Sequence, residues 1–136
     1  MTNTETTRPL PTITLDSAEY WASTQAHTTK MQQCSACGAF RFYPTPICGE
    51  CGSTDFRWER IAGTGTVYTY TVLHRLAGPA FESESPTILV LVSLDEGPTM
   101  MAALVDCPPD EVAIGMPVRM GYRDLTDEIT LPVFRR

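Results

Sequence analysis

In Cys34-Ser35-Ala36-Cys37-Gly38 and Cys48-Gly49-Glu50-Cys51-Gly52, ten residues separate Cys37 from Cys48, giving the spacing C-x2-C-x10-C-x2-C. Each pair sets two thiolates on one tight turn, and two such turns complete a tetrahedral four-sulfur site. The glycine after the second cysteine of each pair suits a left-handed backbone, which frees amide N–H groups to point at sulfur. A closed four-thiolate site fits one structural zinc ion per chain, with mononuclear iron as the weaker chemical rival. The motif is therefore read as a fold staple, and symmetric glycine-flanked pairs argue against a thioredoxin-like redox role. The fifth cysteine, Cys107, precedes Pro108-Pro109 and reads as a small apolar side chain, with no basic neighbour in sequence to activate it.

N-terminal to this segment, residues 1–15 are Thr-rich and without periodicity, a flexible lead. A helix is expected from Asp16, with Asp16 as N-cap and Glu19 completing a capping-box variant. It carries Tyr20 and Trp21 and should fade near His27–Met31, so residues 16–33 are assigned to it. His27 falls on a polar helix end and is expected to be solvated. The cysteine-bearing ribbon then occupies residues 34–60.

Beyond residue 60 the composition turns to β-branched and aromatic residues. Strands are expected at Thr64–His74, Thr87–Leu94, Thr99–Val105, Pro117–Arg123 and Ile129–Phe134, with a turn at Asp95-Glu96-Gly97-Pro98 and a single helical turn at Asp110–Ile114. Pro132 cannot donate to a ladder, so part of the last strand should be an edge. Five short strands over residues 61–136 match a small antiparallel barrel of the OB type, though periodicity alone does not separate this from a small sandwich.

The chain has 136 residues, 43% hydrophobic and 19% charged, with ten basic and sixteen acidic groups. The excess is uneven: net −1 over residues 1–60 and net −5 over residues 61–136. Four thiolates and one divalent ion would take the formal charge from −6 to about −8. A nucleic-acid binder gains much of its affinity by neutralising phosphates, so this balance argues against such a partner. The apolar runs Ile88–Val92 and Met100–Val105 are far short of the roughly 20 residues that span a bilayer, so no membrane role is expected. No apolar leader is visible in Met1–Leu15, which makes the cytoplasm the expected address.

Several features occur together: the Tyr20-Trp21 helix, the two cysteine knuckles, Ala62-Gly63-Thr64-Gly65-Thr66-Val67-Tyr68, and Leu94-Asp95-Glu96-Gly97-Pro98. In this order they resemble the acyl-CoA-associated zinc-ribbon/OB-fold proteins first grouped as a domain of unknown function. The resemblance covers about residues 16–136. It implies a mainly β chain with an N-terminal helix, a rubredoxin-like zinc ribbon and a five-stranded OB-fold barrel. It also implies a non-catalytic companion subunit of a thiolase-superfamily enzyme, a lipid-transfer-protein-type aldolase or a hotdog-fold enoyl-CoA hydratase. Such a companion would act on acyl-CoA only indirectly, by stabilising its partner and helping to shape the CoA channel. Dimeric partners would make a two-plus-two hetero-tetramer natural.

On this reading Tyr20 and Trp21 either pack on the ribbon or dock on the partner. Arg41, Phe42 and Tyr43, between the knuckles, form a candidate partner- or CoA-facing patch. Phe81, in the loop Arg75–Pro86, is either an interface anchor or a cap on one barrel end. His74 ends a strand at the mouth of that loop and has no recognisable nucleophile motif to serve, so an anchoring or interface role is expected. Two other classes compete with this reading. A free-standing nucleic-acid-binding OB protein could stack bases on Tyr68, Tyr70 and Phe81, against its charge. A small acyl-CoA thioesterase would have to draw its base from His27, His74 and scattered carboxylates.

Overall fold

A computed structural model describes residues 8–75, 79–84 and 86–136. The helix α1 spans Ala18–Gln25, and eight strands follow: β1 Lys30–Cys34, β2 Phe40–Arg41, β3 Phe56–Arg60, β4 Thr64–Leu73, β5 Thr87–Leu94, β6 Thr99–Leu104, β7 Pro117–Asp124 and β8 Thr130–Arg135. Short 3-10 turns occupy Pro79–Glu84 and Pro109–Glu111. Strands β2-β1-β3 form the three-stranded ribbon sheet, and β4-β5-β6-β8-β7 close into a barrel. This is the expected mainly β architecture, and closure decides for the barrel over the sandwich.

The helix is shorter than its sequence suggests. Ser17 stands at the N-cap but makes no side-chain cap bond, because its hydroxyl accepts from the Thr14 amide at 2.9 Å instead. Glu19 pairs with Lys30 at 3.4 Å rather than closing a capping box. At the other end His27 adopts φ +59°, and the His27 and Thr28 amides bond back to the Thr24 and Ser23 carbonyls. A left-handed residue ends a helix, so the chain turns and Lys30 begins the ribbon. Residues 30–33, assigned to the helix from sequence, thus lie in β1. The lead's first seven residues fall outside the described ones, and residues 9–15 follow without helix or strand.

The barrel core is a cluster that includes Val67, Ile88, Val90, Val92, Leu94, Met100, Leu104, Val118 and Phe134, all buried. Strict alternation along β5 turns Ile88, Val90, Val92 and Leu94 inward. Each such side chain gains about 1.5–3 kcal/mol from leaving water. A bulge between Val67 and Thr69 bends the long β4, whose first residues, Thr64–Thr66, pair with β7 while Gly65–Leu73 pair with β5 on either side of the bulge. Bulges supply the bend that closure of a small barrel demands. The last seam is narrow. β8 pairs with β7 over six residues but with β6 only at Leu104↔Phe134. Pro132 lies two residues earlier and has no N–H to extend the ladder, which makes that side of β8 the expected edge.

The two segments that carry the family pattern meet each other. The Glu96 carboxylate accepts from the Ala62 amide at 2.8 Å, Asp95 bonds the Thr64 hydroxyl, and the Asp95 amide donates to the Thr64 carbonyl at 3.0 Å. The Ile61 amide donates to the Thr29 carbonyl at 2.9 Å. Together these bonds fasten the ribbon to the barrel where the chain passes from one to the other. His27, expected to be solvated, is half exposed and bonds Asp124 at 2.9 Å while stacking on Tyr122. It ties the end of α1 to β7.

Candidate functional site: a four-cysteine centre and an aromatic groove

The four sulfurs of Cys34, Cys37, Cys48 and Cys51 lie within 4.8 Å of one another. Cys34–Cys51 and Cys37–Cys48 are 3.6 and 3.7 Å apart. A tetrahedron with zinc–sulfur bonds of about 2.3 Å has edges of about 3.8 Å, so these spacings fit a zinc-sized ion. The local chain explains the convergence. Gly38 and Gly52 adopt φ +82° and +80°, and their amides donate to the Cys34 and Cys48 carbonyls, both at 2.9 Å. That turn aims the Cys37 amide at the Cys34 sulfur, 3.5 Å away, and the Glu50 amide at the Cys48 sulfur, 3.4 Å away.

The Cys37 N–H, and after it that of Ala36, holds the Cys34 thiol down to about 6. The Cys51 and Glu50 N–H groups lower Cys48 in the same way. The Ala39 amide favours ionised Cys37, yet burial and the neighbouring sulfurs outweigh it and push that thiol up to about 12. Cys51 is also raised, the shared bond to Cys34 and burial outweighing the Ser53 amide. Four adjacent thiols cannot all carry charge unless a cation stands among them. The donor set is therefore a zinc-ribbon-type metal site. Cys107 lies apart from it, half-buried against the barrel core.

Five of the candidate contact residues converge on one groove of about 570 Å³: Tyr20, Trp21, Phe42, Tyr43 and Phe81. Tyr20 is 4% exposed and packs on Trp21 at 5.0 Å and on Phe42 at 5.5 Å. Its burial, with Tyr122 and Tyr43 nearby, raises its phenol well above the ordinary value. Phe42 and Tyr43 also touch, at 4.3 Å. The helix thus packs on the ribbon through Tyr20, while half-buried Trp21 and exposed Tyr43 line open space. Residues from both sides of the narrow seam, among them Met101, Ala103, Leu131 and Val133, also line the groove.

Arg41 and His74 lie outside this lining. Arg41 turns back into the ribbon: Nε donates to Gln32 Oε1 at 3.0 Å and to the Thr45 carbonyl at 3.2 Å, and the guanidinium lies 4.9 Å over Phe56. Buried Gln32 also accepts from the Thr45 amide at 2.8 Å, so Arg41 and Gln32 brace the loop between the knuckles. His74 is exposed just past the end of β4. Sequence reasoning missed three charged residues of the groove. Glu84 bonds both Arg8 and Arg123, the latter at 3.3 and 3.5 Å, and Arg8 lies 4.9 Å over the Phe81 ring. No local signal marks them, since 76 and 39 residues separate the partners.

The rubredoxin-like zinc ribbon domain of ChsH2 matches residues 21–57, and the C-terminal OB-fold domain of ChsH2 matches residues 58–123. A DUF35 domain-containing scaffold protein of Methanocaldococcus jannaschii is 35% identical over 97 residues, covering 71% of this chain and 68% of its own. The chain belongs to the ChsH2/DUF35 family. A solved Ltp2-ChsH2(DUF35) aldolase contains a chain 40% identical to this one, with a TM-score of 0.82 over 93% of this chain and 98% of that one. The probable enoyl-CoA hydratase alpha subunit of Thermomonospora curvata is 41% identical over 128 residues, which is 94% of this chain. This DUF35 chain spans 40% of the length of that relative. Among the described residues no helix is long and apolar enough to cross a membrane.

Proposed function

We propose that this chain is a zinc-containing, non-catalytic accessory subunit of a cytoplasmic complex that processes acyl-CoA thioesters. Its partner is a thiolase-superfamily enzyme of the lipid-transfer-protein aldolase type, assembled two-plus-two. The observation that carries this reading is the likeness, at 40% identity and over nearly its whole length, to a chain of the Ltp2-ChsH2(DUF35) aldolase. Zinc in the four-cysteine site fixes the ribbon, and the ribbon with α1 holds Trp21, Phe42 and Tyr43 at the groove. Those aromatics face the partner and contribute one wall of its acyl-CoA site, while the partner supplies the reacting groups. A second reading, that the partner is a hotdog-fold enoyl-CoA hydratase, draws on the hydratase-named Thermomonospora relative.

The test is capture of the C-terminally tagged chain from its native host, followed by mass spectrometry of what elutes in equal amount. A thiolase-like subunit at one-to-one supports the aldolase reading, and a hydratase subunit supports the second. The double substitution Trp21→Ala, Phe42→Ala should abolish co-elution while zinc content stays at wild-type level. Interface hot spots, which are enriched in Trp and Tyr, cost about 2 kcal/mol or more each when truncated. Recovery of the chain alone, or with nucleic acid, would overturn the accessory role.

A further inference from the structure

The groove has two chemically distinct parts. Tyr20, Trp21, Phe42 and Tyr43 form a connected aromatic wall. Arg8, Glu84 and Arg123 form a charged cluster in the same lining, with Arg8 seated over Phe81. Two guanidiniums sharing one carboxylate leave a single positive charge in excess, in a chain whose formal net charge is −6. The side chains are only partly exposed, at 23% for Arg8, 24% for Glu84 and 48% for Arg123. Each guanidinium presents five N–H donors, most of which Glu84 leaves unused. Glu84 meanwhile fixes the two forks in place, the pre-organisation that makes an anion site effective.

We propose that this groove is a binding site for an apolar acid, a molecule whose chain or fused-ring body lies on the aromatic wall and whose carboxylate reaches Arg8 and Arg123. The volume, about 570 Å³, falls in the range of small-molecule sites, which are mostly apolar with a few convergent polar groups. The guanidinium fork matches a planar carboxylate through two parallel bonds. One surplus charge balances a monoanion and under-compensates a phosphate dianion. The overall negative charge of the chain repels anions at long range, so affinity must come from this local cluster and from apolar contact. The proposal goes beyond the accessory reading, whose thioester substrate carries no acyl carboxylate, and shares with it only the groove.

The experiment uses the full, zinc-loaded chain carrying Trp58→Phe, so that Trp21 alone reports, and titrates dodecanoate, dodecanol and dodecylammonium below their micellar concentrations. Saturable one-site binding is expected, with dodecanoate at least ten-fold tighter than dodecanol and dodecylammonium weakest. Arg8→Gln with Arg123→Gln leaves Glu84 as the one charge of the cluster and should bring dodecanoate to or below the level of dodecanol without changing dodecanol binding. Should that pair of substitutions impair folding, raised salt serves the same purpose and should weaken dodecanoate alone. Equal binding of the three head groups, or no saturable binding, overturns the proposal and leaves the groove as a surface for a protein segment. A chain that binds dodecanoate yet captures no partner keeps this site and loses the accessory role, and the converse result does the opposite.

Discussion

Gly65 lies where β4 begins and pairs on both sides, with Leu94 of β5 and Val118 of β7. A methyl group placed on it would sit 2.3 Å from the Ser93 carbonyl oxygen, 2.8 Å from Val92 Cγ1 and 3.0 Å from the Ser93 carbonyl carbon. Ordinary contact begins at 3.4 Å, so the nearest atom falls short by 1.1 Å. Two of the three obstacles are backbone, held by ladders on either side, and cannot rotate away. Forcing extra volume into such a place costs typically 1–3 kcal/mol, and a backbone clash of this depth belongs at the upper end, about 3 kcal/mol. For a domain of this size that corresponds to a fall of about 10 °C in Tm. Gly49→Ala is the matched control, because nothing lies within 4 Å of its added methyl, and its Tm should stay within about 2 °C of wild type. Thermal and urea unfolding of Gly65→Ala, followed by circular dichroism on zinc-loaded protein, provides the measurement. A fall of less than about 3 °C would refute the claim that β4 and β5 touch too closely here for any side chain.

Three further outcomes are expected. Cys48→Ser should take bound zinc from about one per chain to near zero by metal analysis, since a hydroxyl does not replace a thiolate in a closed four-sulfur site. Cobalt substitution should give tetrahedral thiolate absorption in the wild type and none in the variant. Gln32→Leu leaves the Thr45 amide and Arg41 Nε without their buried acceptor, which should cost about 2 kcal/mol and hasten zinc transfer to a chelator. The Asp124 carboxyl is held below its ordinary 3.8, chiefly by the His27 bond and next by Thr130. A depressed carboxyl stabilises the fold above its unfolded pKa and loses that contribution as pH falls through the folded value. Asp124→Asn should therefore lower stability at pH 7, and the difference from wild type should shrink as the pH is taken below 3.8, as read by urea midpoints.

Much of this protein is decided by residues adjacent in sequence. Two C-x-x-C-G turns fold on themselves through the Gly38 and Gly52 amides, so the metal site follows from spacing alone. The barrel strands are equally local, because alternation along Thr87–Leu94 selects the buried face before any partner strand is known, and Pro132 marks the edge by what it lacks. Local signals erred at both ends of the helix. Asp16, expected as the N-cap, lies one residue before the position that Ser17 takes, and His27 ends the helix early by taking a left-handed backbone. The groove belongs to tertiary structure. Tyr20 and Phe42 could be singled out as aromatic, but only folding sends Tyr20 inward, turns Arg41 away and sets Arg8, Glu84 and Arg123 together. A charge cluster assembled from three distant segments leaves no periodicity or spacing to read. Its members come together because barrel closure, driven by burial of Phe134 and its neighbours, carries their strands and loops to the same place.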